Sequence, residues 1–132
     1  MDLFSHPFYT FIYDPRRKII SFNWTVETEK MQVHDYQEAI HNFAGFALDN
    51  PVKGLLVDLR EFRYRPPASL GYWRDEAVSP RYVKAGVKKL AYIAPPGMLE
   101  KMMSGTDEYK HKRGFEEGYF GSEAEALGWL SS

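Results

Sequence analysis

Hydrophobic and polar positions along the chain switch between two periods, and each switch marks an element. "PFYTFIY" (Pro7–Tyr13) is rich in aromatic residues and reads as a strand. The Asp-Pro turn of "DPRRK" follows, and "IISFNW" (Ile19–Trp24) reads as the second strand of a β-hairpin. From Thr25 to Asn50 the period lengthens. Val33, Tyr36, Ile40, Phe43, Ala44 and Ala47 fall on one helical face, and Asp49–Pro51 stops the helix. "VKGLLVDL" is a nearly continuous apolar run, the pattern of a strand buried on both faces at the centre of a parallel sheet.

Leu70, Trp73 and Ala77 then give a short helical stripe, which "SPRYVKAG" is expected to break. "KKLAYIA" (Lys88–Ala94) reads as a strand stopped by Pro95 and Pro96. "GMLEKMMSG" (Gly97–Gly105) is a short helix bracketed by glycines, and the polar "TDEYKHKRG" after it is expected as a surface loop. "FEEGYF" (Phe115–Phe120) alternates apolar and acidic residues, as a short edge strand does. The last helix opens on a capping box, with Ser122 as N-cap and Glu125 three residues on. A hairpin followed by strand–helix alternation predicts an α/β fold. It is a single domain over residues 1–132, with a mixed sheet flanked by helices and a mostly parallel central part.

Composition narrows the class. The 132 residues are 44% hydrophobic and 16% aromatic, enough for one good core and too much for a disordered chain. The net charge of −1 gives no electrostatic case for nucleic acid. Without cysteine there is no disulfide scaffold, thiolate metal site or thiol nucleophile, and a cytoplasmic location is permitted. The N-terminus has no basic, apolar signal-peptide pattern, and no run is long enough for a transmembrane segment. No P-loop, dinucleotide fingerprint, H-E-x-x-H or EF-hand pattern occurs, so no cofactor is implied and a non-enzymatic role is expected.

Candidate chemistry gathers in "VDLREFRYRPPASLGYW" (Val57–Trp73). Asp58 ends the central strand, where open α/β sheets bind ligands, and is expected to anchor the loop. Arg60, Arg63, Arg65 and Arg74 make the region basic. From Arg60 to Lys89 eight Lys/Arg face three Asp/Glu, a net of +5, whereas Gly114–Ser132 carries four Glu and no Lys or Arg. The cluster suits an anion or an acidic partner, or it is dispersed surface charge and pairing within the chain. Ser69 precedes the helical stripe and reads as its N-cap, since no nucleophile elbow or triad spacing surrounds it. His34, Glu38 and His41 share a helix face within about 60°, a partial zinc-ligand set. That face lies opposite the apolar stripe and has no evident fourth ligand, so no metal is expected. Met98, Leu99, Met102 and Met103 form a soft apolar helix, core in part and adaptable surface in the remainder.

The order of elements, the "DNPVKGLLVDL" strand ending in Asp-Leu, the "LGYWRDE" segment and the closing "FEEGYFGSEAEALGWL" resemble the SpoIIAA-like family, relatives of STAS domains. The likeness runs over nearly the whole chain, and the closing Trp-Leu is its most distinctive part. It implies a STAS-like mixed sheet flanked by helices. The regulatory members' phosphorylated Asp-Ser motif is not matched, because Ala68 precedes Ser69. The resemblance implies a non-enzymatic regulatory or protein-interaction module. Arg60, Arg63, Arg65, Ser69, Trp73 and Arg74 would meet an acidic protein partner, and a homodimer is possible. The group is also similar in organisation to CRAL-TRIO lipid-binding domains. That implies the alternative of a small amphipathic ligand or lipid held among Tyr72, Trp73, Tyr82, Met98 and Met102, with an arginine at its acidic head.

Overall fold

The computed structural model describes residues 2–104 and 113–132. Its six-stranded sheet runs in sequence order: β1 (Asp2–His6), β2 (Tyr9–Asp14), β3 (Ile19–Trp24), β4 (Gly54–Asp58), β5 (Lys89–Ile93) and β6 (Glu116–Phe120). β1, β2 and β3 pair antiparallel, and β3 to β6 pair parallel. The helices are α1 (Val33–Asp49), α2 (Ser69–Trp73), α3 (Ser79–Ala85), α4 (Pro96–Ser104) and α5 (Glu123–Leu130). The α/β class and the mixed sheet are as the periodicity predicts. Among the described residues no helix is long and apolar enough to cross a membrane. The polar stretch expected as a surface loop lies, up to Lys112, outside the described residues.

Four local expectations need correction. The chain begins with a strand that the pattern did not announce. β1 is held by its ladder to β2, with an irregularity between Asp2 and Phe4, and by Phe4 against Tyr9, Phe11 and Phe46. Pro7 and Phe8 then form the turn, where the Phe8 N–H donates to His6 Nδ1 (3.1 Å), so β2 starts at Tyr9. In the long helix, Val33 is 42% exposed and the buried stripe starts at Tyr36. A 3₁₀ turn (Val26–Lys30) precedes this helix. Its true start is a capping box, in which the Asp35 carboxylate accepts the Gln32 N–H at 2.9 Å.

The third correction concerns the expected break at "SPRYVKAG". Helix persists from Ser69 to Ala85 because a π turn (Arg74–Val78) joins α2 to α3. The Ser79 N–H bonds the Arg74 carbonyl five residues back. The wider turn accepts Pro80, which has no N–H to give and whose ring would crowd a normal α-turn. The extra residue rotates the stripe, so Val78 is buried and Ala77 is exposed. α3 stops at Gly86, whose φ of +95° is left-handed. The fourth is Ser69, which does not cap. Ala68 is already helical, and the Leu70 and Gly71 N–H groups bond the Pro67 and Ala68 carbonyls, so Ser69 stands exposed in the first turn.

The parallel strands β3, β4 and β5 are largely buried, and β6 at the edge is half-buried. On one side α1 packs along α3 over a core rich in rings, among them Phe11, Phe22, Trp24, Tyr36 and Phe43. On the other, α5 lies on Ile19, Leu56, Ala91 and Ile93. α5 opens as the sequence predicts, with Ser122 Oγ accepting the Glu125 N–H at 3.3 Å.

Candidate functional site

Strand register builds the floor of a cavity of about 430 Å³. Phe22, Val57, Tyr92 and Tyr119 are direct neighbours across β3, β4, β5 and β6, and all four face it. They stand toward the carboxyl ends of the parallel strands, where a βαβ sheet leaves space between its loops. The Tyr92 and Tyr119 rings stack at 5.6 Å. One wall is α1, through Tyr36, Ile40 and Phe43. The other walls are the π turn and α3, through Arg74, Asp75, Val78 and Tyr82, and α4, through Met98 and Met102.

The loop after β4 closes one side by simple alternation. In "EFRYR" the rings of Phe62 and Tyr64 turn inward, while Glu61, Arg63 and Arg65 are exposed. Phe62 packs on Trp24 (4.7 Å between ring centres) and Tyr64 on Tyr36 (5.7 Å). A buried hydroxyl holds the loop: Thr28 Oγ1 donates to the Thr25 carbonyl and accepts the Arg63 N–H, both at 2.7 Å. Asp58 holds its start by accepting the Arg60 N–H (3.0 Å) and two guanidinium bonds from the same residue (3.0 and 2.7 Å).

Charge inside the site is organised around Arg113. Its guanidinium donates to both Asp75 oxygens, at 2.7 and 3.2 Å, and to Glu117. These side chains are only 14%, 11% and 10% exposed, so the pairing joins the π turn to β6 in low dielectric. Arg74 lines the same cavity and forms no ion pair with a described carboxylate. Arg74 keeps much open surface and also contributes to the lining of the cavity. Burial pushes the Tyr82 hydroxyl well above its ordinary range; Tyr36 adds to that effect and Arg74 subtracts from it only secondarily. Burial does the same to Tyr92, reinforced by Glu117, and to Tyr36, opposed by Arg74. All three are neutral phenols at physiological pH.

Tyr82 and Tyr92 make no side-chain hydrogen bond among the described residues, and no buried polar side-chain atom there lacks a partner. Their hydroxyls therefore open into the cavity. The arrangement offers flat apolar walls, phenol donors and, besides the paired Arg113, the guanidinium groups of Arg74 and Arg65, which is the equipment for holding a molecule with an apolar body and a polar end.

The residues singled out from sequence scatter. Tyr82, Met98, Met102, Arg65 and Arg74 line the cavity. Tyr72 is 61% exposed and Trp73 is half-buried against the core, and neither reaches the cavity. Arg60 is engaged by Asp58, and Arg63 pairs with Glu61 at 3.4 Å. His34 stands exposed beside Asp35 (3.3 Å), and His41 Nδ1 lies 3.0 Å from Arg81 Nη1. Among the described residues no three His, Asp or Glu side chains could hold a metal ion. Sequence reasoning missed Phe62 and Tyr64, whose period-two alternation was readable, and Tyr36, Tyr92, Tyr119, Asp75, Arg113 and Glu117. For those six only strand register and helix packing supply the signal. Comparison with protein-family models, curated proteins and solved structures finds no match.

Proposed function

We propose that the chain binds a small amphipathic ligand in the cavity at the carboxyl ends of its parallel strands. The observation that carries this reading is the cavity itself: about 430 Å³, within the range of ligand pockets, walled by rings and methionines and holding a small set of convergent polar groups. The methionines of α4 suit an adaptable wall. The mixed sheet flanked by helices, and the closing helix with Trp129 and Leu130, are in keeping with a SpoIIAA-like organisation. The apolar cavity accords with the lipid-binding domains to which that organisation is similar. Docking of an acidic protein partner on Arg60, Arg63, Arg65, Ser69, Trp73 and Arg74 has thinner support. Trp73 is packed inward, two of the arginines are paired, and Arg74 faces the cavity.

The test is a fluorescence titration with the uncharged probe N-phenyl-1-naphthylamine. One saturable site is expected in the wild type. Met102→Trp, which places a ring in the cavity, is expected to lower affinity at least about tenfold with the far-UV spectrum retained. No saturable binding to the folded wild-type protein, or binding that Met102→Trp leaves unchanged, sinks the reading.

A further inference from the structure

The geometry points to an aromatic monoanion as the ligand, with its negative group on Arg74 and its ring over the Tyr92–Tyr119 floor. This rests on the cavity reading above and adds the chemistry of the occupant.

Charge comes first. Five arginines of the region divide by partner; Arg65 reaches the cavity from the exposed loop with no described carboxylate partner, and the other four separate as follows. Arg113 is committed to Asp75 and Glu117, Arg60 to Asp58, and Arg63 to Glu61. Arg74 lines the cavity with no described carboxylate in ion-pair contact. Its neighbours there are first the hydroxyls of Tyr36, Tyr92 and Tyr82; Glu117, the one carboxylate that also acts on it, is bonded by Arg113. A guanidinium presents a planar fork of donors, and a carboxylate, sulfonate or phosphate oxygen pair accepts it in two parallel bonds. The phenol hydroxyls of Tyr82 and Tyr92 open into the same space and supply further donors.

Shape comes second. The stacked rings of Tyr92 and Tyr119 lie within 10° of parallel, and those of Trp24 and Tyr36 within 8° at 5.9 Å. Phe62 and Tyr64 add ring faces from the loop. Such flat walls match the face of a planar ring and reward offset stacking, which an acyl chain cannot return. The volume equals that of about 14 waters at ~30 Å³ each, and bonded ring atoms sit closer together than waters do, so a molecule of two or three rings has room.

Two probes that differ by one sulfonate group separate this inference from the reading beneath it. 8-Anilino-1-naphthalenesulfonate is N-phenyl-1-naphthylamine with a sulfonate added. The wild type is expected to bind the sulfonate about tenfold more tightly than the neutral probe, the scale of one charge-assisted contact. Arg74→Met should erase that preference while changing the neutral probe less than about twofold, and Arg65→Met at the rim should change either probe less than about threefold. Arg74→Gln, a milder change, serves where Arg74→Met melts early, and should erase the preference as well. Dodecanoate, an anion with no ring, should displace the sulfonate probe only weakly. If neither probe binds, the cavity reading itself fails. If the neutral probe binds but the sulfonate gains nothing, or keeps its gain in both Arg74 variants, the anion site is wrong and the cavity reading stands. If dodecanoate competes better than the sulfonate binds, the aromatic assignment is overturned.

Discussion

Two adjacent rows of the sheet have opposite fates. Phe22, Val57, Tyr92 and Tyr119 run across β3 to β6 on one face; Ser21, Leu56, Ala91 and Gly118 run beside them on the other. The second row is small, and α5 settles close upon it through Ala126, Trp129 and Leu130. A β-carbon on Gly118 would stand 2.8 Å from the Phe120 ring and 3.1 Å from Trp129, and one on Gly54 would meet Leu130 at 3.1 Å. Among the described residues α5 is in close contact with the strands there. The first row carries rings, which hold helices and loop away from the strands and leave about 430 Å³ between them. Close packing is the rule in protein interiors. A row of large, rigid side chains is one way to keep a gap without weakening the sheet beneath, because the backbone ladder is indifferent to which face carries the bulk.

The contrast can be broken most severely on the closed side. Ile93 is fully buried against α5, and Ile93→Ala should cost about 2–5 kcal/mol, since the tight packing cannot collapse into the hole. Urea denaturation measures it; a loss under about 1 kcal/mol would mean that this face is not closed.

The ring side should announce itself in alkali. Burial raises the hydroxyl pKa of Tyr36, Tyr82 and Tyr92 in the folded chain, while in the unfolded chain they ionise near pH ~10. Below that pH all three are protonated in both states, and their contribution is intact. As pH rises toward the folded values, the unfolded chain sheds protons that the folded chain keeps, so stability falls by up to about 1.4 kcal/mol per pH unit for each tyrosine. The Tyr82→Phe, Tyr92→Phe double variant should show a shallower fall between pH ~10 and ~11 in urea midpoints, whereas Ile93→Ala keeps the wild-type slope.

The smallest effect is expected at the cavity wall. Met102 is half-buried beside open space, so Met102→Ala should cost under about 1 kcal/mol, far less than truncation under α5. A larger loss in thermal melts would show the wall to be core.

Much of the frame was legible because it is local. The hairpin of β2 and β3, the doubly buried β4, the edge strand β6 and the Ser122 capping box each rest on a few neighbouring residues. β1 was not, since "DLFSH" has no clean alternation and depends on β2 for its ladder. Helix across Pro80 was not, since a π turn follows no composition rule that a stop signal at Ser79–Pro80 would not also satisfy. The arginines drew attention as a basic cluster, yet the same loop's inward residues were Phe62 and Tyr64. Asp75 and Glu117, unremarked in the sequence, turned out to be held by one arginine.

The amino-acid order alone determined most of the elements, their succession and the strand buried on both faces, because hydrophobic period and capping act within a few residues. Only the tertiary structure decided that Phe22, Val57, Tyr92 and Tyr119 form one row, that Arg113 engages the two acids, and that Arg74 faces the rings. Those facts depend on strand register and on how far each helix can approach the sheet, and both are set by pairings between residues remote in the chain.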